Sequence, residues 1–87
     1  MSRRTLPQLT LYSRPGCHLC DDMKTLIARV AARLPLGLEV VNIDEDPVLT
    51  ERYGLEIPVL LVDGRKVAKY RVDEAALERA LRARTTA

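Results

Sequence analysis

Residues 58–70 constrain the chain most. Pro58-Val59-Leu60-Leu61-Val62 is an unbroken apolar run, followed by Asp63-Gly64 and then by Arg65-Lys66-Val67-Ala68-Lys69-Tyr70. A short apolar run bounded by turn-forming residues fits a strand buried on both faces. Asp-Gly is a strong signal for a two-residue hairpin, because such a turn needs positive φ angles. The returning segment carries Lys66 and Lys69, which suit the exposed edge of a sheet. One antiparallel strand pair is therefore expected here.

Upstream, Gln8 to Ser13 is β-leaning and is stopped by Arg14-Pro15-Gly16, so it reads as a strand. Leu19, Met23, Leu26, Ile27, Val30 and Leu34 then form one helical stripe, which predicts a helix from about His18 to Leu34, ended by Pro35 and Gly37. Leu38 to Ile43 reads as a second strand. Asp44-Glu45-Asp46-Pro47 opens a short helix, with Asp as cap and Pro in the first turn, and Gly54 closes it. Asp73 caps a last helix that turns Leu77 and Leu81 inward.

The predicted order is β-α-β-α-β-β-α. A β-α-β unit is a right-handed crossover between parallel strands, and the 63–64 hairpin adds an antiparallel pair. An α/β fold follows, a four-stranded mixed sheet with helices on both faces. Its order is similar to that of the thioredoxin fold in its shortest version.

At 87 residues the chain is expected to be one domain, 1–87, with a flexible lead-in over 1–7 and a core over about 8–82. An apolar fraction of 47% argues against disorder, and with three Tyr and neither Phe nor Trp the core must be aliphatic. Fourteen basic residues against twelve acidic ones describe no nucleic-acid footprint. Arg3 and Arg4 stand near one end, and Arg79, Arg82 and Arg84 stand where cations complement the end of a last helix. No apolar run reaches the roughly 20 residues of a membrane span. The basic N-terminus is not followed by an apolar stretch, so neither a secretory signal nor a twin-arginine signal is expected. A cytoplasmic protein is expected, where two cysteines are more often catalytic or metal-binding than a structural staple.

Those two are Cys17 and Cys20, in Cys17-His18-Leu19-Cys20 after a Pro-Gly break and at a helix start. The spacing alone is shared by zinc and redox sites; the placement carries the argument. Unpaired N–H groups and the helix dipole favour an anion at a helix N-terminus, which lowers a thiol's pKa there. One turn on, Cys20 can reach Cys17 while its own helix shields it. Cys17 is thus expected to attack a disulfide and Cys20 to resolve the intermediate. Asp21 and Asp22 moderate the thiolate's stabilisation. A zinc site wants about four ligands, and beyond the pair only His18 is at hand. An iron–sulfur cluster held between two copies needs only these thiolates, or one of them plus glutathione, and stays open.

Tyr12-Ser13-Arg14-Pro15-Gly16-Cys17-His18-Leu19-Cys20 resembles the active-site segment of glutaredoxins, and most of all that of short bacterial glutaredoxin-like proteins with Cys-His-Leu-Cys. With Glu56-Ile57-Pro58-Val59 as its second mark, the resemblance runs from about residue 8 to 82. It implies that Pro58 is cis, and that Ile57 offers backbone hydrogen bonds to a substrate chain. It also implies that Arg14 steadies the thiolate and meets a glutathione carboxylate, and that Asp73 and Glu74 hold glutathione's amino group. Asp73 is equally explained as a helix cap. His18, beside the thiol, is a second tuning candidate. Tyr12, Tyr53 and Tyr70 read as packing at the core's rim, with Tyr70 also a substrate contact if its strand borders the cleft. Three features differ from the family pattern: Lys69-Tyr70-Arg71 replaces a Gly-Gly pair, Glu56-Ile57-Pro58 replaces Thr-Val-Pro, and His18 replaces the Pro of dithiol glutaredoxins.

The expected activity is thiol–disulfide oxidoreduction by Cys17 and Cys20, acting as a monomer on protein disulfides or glutathione mixed disulfides. No cofactor or metal is bound in this reading; a thiol reductant recycles the pair, and glutathione is a candidate co-substrate. Two other classes remain: an iron–sulfur or metal carrier held between two copies, and an adaptor that docks a partner along Ile57-Pro58 without turnover.

Overall fold

The computed structural model describes residues 6–83. The first five residues of the expected lead-in lie outside it, with Arg3 and Arg4, and so does Arg84. The elements are β1 (Gln8–Ser13), α1 (His18–Ala31), β2 (Gly37–Asn42), a 3-10 turn (Ile43–Glu45), α2 (Pro47–Tyr53), β3 (Val59–Val62), β4 (Arg65–Lys69) and α3 (Glu74–Ala83). The sheet order is β2-β1-β3-β4; β1 runs parallel to β2 and antiparallel to β3, and β3 runs antiparallel to β4.

Alternation along β1 decides which residues fill the core. Leu9 and Leu11 are buried and lie opposite Val62 and Leu60 of β3. These four share a face with Met23, Ile27 and Val30 of α1 and with Leu77 and Leu81 of α3, in one buried cluster. Burying one such aliphatic side chain contributes about 1.5–3 kcal/mol. Tyr12 points to the other face, where it stacks on Tyr53 of α2 with centroids 4.6 Å apart and planes 15° from parallel. Helices therefore cover both faces.

The hairpin at Asp63-Gly64 has φ angles of 50° and 83°, as a type I′ turn requires. Asp46 caps α2 by accepting from Val48 N–H at 2.9 Å, with Pro47 at the first turn. Arg33, just past α1, reaches Glu74 at 3.1 Å and Glu78 at 2.6 Å on α3.

Strand ends differ from the sequence reading by a residue, with β2 starting at Gly37, β3 at Val59 and β4 ending at Lys69, and two boundaries have a clear physical cause. Helix α1 stops at Ala31; the N–H groups of Arg33 and Leu34 both turn back to Val30 O, at 2.9 and 2.8 Å. Pro35 disfavours α geometry at the residue before it, so the last turn tightens. Leu34 still packs against the core from that turn, which is why the apolar stripe outlasts the helix. Ile43 leaves β2 for the 3-10 turn, because Asn42 accepts from Asp44 N–H at 2.9 Å and closes the strand.

Candidate active site

The approach to the cysteine pair is set by Pro15-Gly16. Gly16 has φ 81°, a left-handed conformation that costs glycine nothing. The chain then enters α1 with Cys17 as its N-cap, in extended geometry. Cys17 Sγ takes the place of the usual cap oxygen, accepting the Cys20 N–H at 3.1 Å. The two sulfurs are joined as a disulfide, with Cα atoms 5.2 Å apart. Cys17 is half-buried, while Cys20 is only 1% exposed. Of the pair, Cys17 at the helix start is the more exposed residue, and Cys20 is enclosed behind it.

Pro58 shares this end of the sheet. Tyr12 pairs with Val59, so the stretch leading from β1 to Cys17 runs beside the stretch leading into β3. The Ile57–Pro58 peptide is cis, and Pro58 is buried. Ile57 is half-buried, and its N–H donates to Tyr53 O at 3.1 Å, alongside that of Glu56 at 2.8 Å. Of the two backbone groups expected to serve a substrate chain, the N–H is already used by the end of α2. The carbonyl remains.

The expected tuning and binding residues are held in the following ways. Arg14 turns to Asp44, with Nε and Nη2 at 3.0 and 2.9 Å from Oδ1. Both groups are partly exposed, so the pair is worth about 0–1 kcal/mol. His18 is exposed at the first position of α1. Asp73 accepts the Ala76 N–H at 2.7 Å and so caps α3. Glu74 pairs with Arg33 at 3.1 Å and Arg29 at 3.6 Å. Asp21 and Asp22 face solvent.

Tyr70 is the residue whose importance the sequence least announced. It has φ 67°, and Arg71 N–H donates to Lys69 O at 2.7 Å across it. That φ and that hydrogen bond belong to a γ-turn of the strained sign, rare for a side chain with a Cβ. Two contacts hold it: Tyr70 N–H donates to Pro58 O at 2.8 Å, and its hydroxyl to Leu55 O at 2.9 Å. Tyr70, Arg71 and Val72 also wall a groove of about 140 Å³ against Leu19, Asp22, Met23 and Leu26 of α1. Leu19, counted in the sequence as part of the core stripe, is half-buried in that groove.

Among the described residues no three His, Cys, Asp or Glu side chains come together as a metal site. No helix among them is long and apolar enough to cross a membrane.

A dithiol motif capping the first helix, on a β2-β1-β3-β4 sheet, defines a thioredoxin-fold protein with a Cys-x-x-Cys site. The fold matches that of a mutant thioredoxin from Halobacterium salinarum, with a TM-score of 0.68 at 22% identity over 93% of this chain and 76% of that one. Within this class the chain belongs to the glutaredoxin-like domain family (DUF836), whose model matches residues 8–82. It is similar to target protein XcR50 from X. campestris, with a TM-score of 0.74 and 38% identity over 86% of this chain and 96% of that one. It is also 36% identical over 78 residues to the uncharacterized protein Rv0508 of Mycobacterium tuberculosis, covering 82% of this chain and 78% of that protein.

Proposed function

We propose that this protein is a dithiol–disulfide oxidoreductase, with Cys17 attacking and Cys20 resolving. The observation that carries the reading is the Cys20 N–H on Cys17 Sγ at 3.1 Å, with Cys17 partly exposed and Cys20 enclosed. In the reduced form that N–H and the start of α1 stabilise a thiolate on Cys17. The thiolate attacks one sulfur of a substrate disulfide. A mixed disulfide forms, the substrate S–S bond breaks, and the departing sulfur takes up a proton. Cys20 then gives up its proton and attacks Cys17 Sγ, releasing the second substrate thiol and leaving the Cys17–Cys20 disulfide. A thiol reductant returns two electrons and two protons to the pair.

The substrate is a protein disulfide or a glutathione mixed disulfide, met in the cytoplasm. The protein disulfide is favoured. Lys69-Tyr70-Arg71 puts bulk and charge where the family pattern has Gly-Gly, while Asp73 and Glu74 are occupied by the α3 cap and by Arg33.

Titration in glutathione redox buffers, read by alkylation and mass spectrometry, tests this. A two-electron transition at roughly −200 to −270 mV is expected, together with loss of disulfide reduction in Cys17→Ser. A pair that forms no internal disulfide at any poise, or dithiol turnover that survives Cys17→Ser, removes the proposal.

A further inference from the structure

Between β4 and the start of α3 lies an open trough of about 600 Å³. It is lined by half-buried apolar residues, Val67, Ala68, Val72 and Ala76, which form its floor, and by exposed Lys69 and Arg71, which form its rim. Neighbouring residues of a regular strand point to opposite faces. Here the register of β4 slips between Leu60 and Leu61, and Val67 falls in the slip. A bulge of this kind re-aims side chains. Val67 and Ala68 accordingly both pack against the core and both line the trough.

Lys66 pairs with Glu56 at 3.5 Å, but among the described residues no carboxylate meets Lys69 or Arg71. Lys69 lies 5.5 Å over the Tyr70 ring. Lysines on an edge strand are ordinarily explained as protection against strand pairing. That accounts for Lys66 and Lys69 but not for Arg71, which lies beyond the strand. Asp73 also lines the trough, with its carboxylate turned to the Ala76 N–H at the start of α3. Arg71 and Val72 line both this trough and the smaller groove against Leu19, so the two concavities share a wall that leads to the cysteine motif.

We propose that this trough docks an acidic segment of the protein whose disulfide Cys17 attacks. An apolar side chain of that segment sits on the floor, and its carboxylates meet Lys69 and Arg71. The proposal rests on the oxidoreductase reading only for the identity of the partner; the docking itself requires no turnover. Exposed charge pairs of this sort set the encounter rate and the choice of partner, and salt screens them.

The test uses two fluorescein-labelled peptides without cysteine, one with a Leu flanked by Asp and Glu, the other with the same Leu flanked by Lys. Anisotropy should show the acidic peptide binding about tenfold more tightly at low salt, with the difference shrinking at physiological salt. Lys69→Glu combined with Arg71→Glu should abolish or reverse the preference. Equal binding of the two peptides overturns the proposal. So does a preference that survives the double reversal, which would place the acidic site elsewhere. Reduction of a small neutral disulfide by the unaltered protein is measured in parallel. Its failure alone removes the redox reading and leaves the docking site standing; its success without peptide preference removes only the docking site.

Discussion

The backbone N–H of Cys20 points at Cys17 Sγ from 3.1 Å, so Cys20, to which we assign the resolving role, also polarises the sulfur that we propose attacks. The first service comes from the side chain and the second from the main chain, and a substitution can separate them. Cys20→Ser keeps the N–H donor and removes the resolving sulfur. It should therefore still attack a disulfide and then stall, accumulating a one-to-one mixed disulfide through Cys17 visible by mass spectrometry under non-reducing conditions. Absence of that adduct, with Cys17 free, would show that Cys17 is not the attacking sulfur.

Asp73 serves α3 as a cap, and capping needs an oxygen but no charge. Asp73→Ala should cost about 1 kcal/mol in urea unfolding, whereas Asp73→Asn should cost little. If the carboxylate also held a glutathione amino group, Asn would raise the KM for a glutathione mixed disulfide without affecting stability. We expect an unchanged KM, since the substrate we propose is a protein disulfide. A several-fold rise would restore the glutathione site.

Two leucines on either side of the cis-proline segment should respond very differently to truncation. Leu60 is 0% exposed at the centre of the cluster that joins β1, β3, α1 and α3, and Leu55 is 92% exposed in the loop after α2. Leu60→Ala should lower unfolding free energy by about 2–5 kcal/mol, from lost burial and the cavity left behind. Leu55→Ala should fall within about 0.5 kcal/mol of the unaltered protein, because only its carbonyl is used, by Tyr70. Similar midpoints for the two would contradict this packing.

How much of this could be read from the chain depended on the range of each interaction. The element order, the 63–64 hairpin, the Asp46 and Asp73 caps and the core positions on α1 and α3 follow from local periodicity and turn chemistry, which spacing reports directly. The placement of Cys17 at the start of α1 was legible for the same reason. Arg14 finding Asp44, thirty residues on, was not: it depends on how the ends of β1 and β2 lie side by side. Nor was Ile57 N–H closing onto Tyr53, which removes half of the backbone surface that the family resemblance implied. The turn at Tyr70 is marked by no residue of this chain; its one trace is the Gly-Gly pair that the family pattern has at this place. Positive φ is ordinarily announced by Gly or Asn, and here a tyrosine takes it because Pro58 and Leu55 hold it from both sides.

That conformation makes the order of stability among Tyr70 variants unusual. At a strand end, Ala normally outranks Gly, because Gly loses more freedom on folding. At φ 67° a Cβ meets the steric penalty of the left-handed region, about 1–2 kcal/mol, which Gly escapes. Tyr70→Gly and Tyr70→Ala both lose the hydroxyl bond to Leu55 O and the Lys69 contact, so the difference between them isolates the backbone. Gly should be the more stable by about 0.5–1 kcal/mol in urea unfolding, once its greater freedom in the unfolded chain is set against the steric relief. Tyr70→Phe keeps the ring and loses only the hydroxyl bond; at 43% exposure the cost should lie at the lower end of about 0.5–1.5 kcal/mol. It should also speed amide hydrogen exchange at Glu56 and Ile57, whose N–H groups lie on the segment that the hydroxyl tethers. An Ala variant more stable than the Gly variant would mean that the turn relaxes to negative φ on truncation. The tyrosine would then be imposing the γ-turn through its side-chain tether, and the backbone around it would have no preference for that shape.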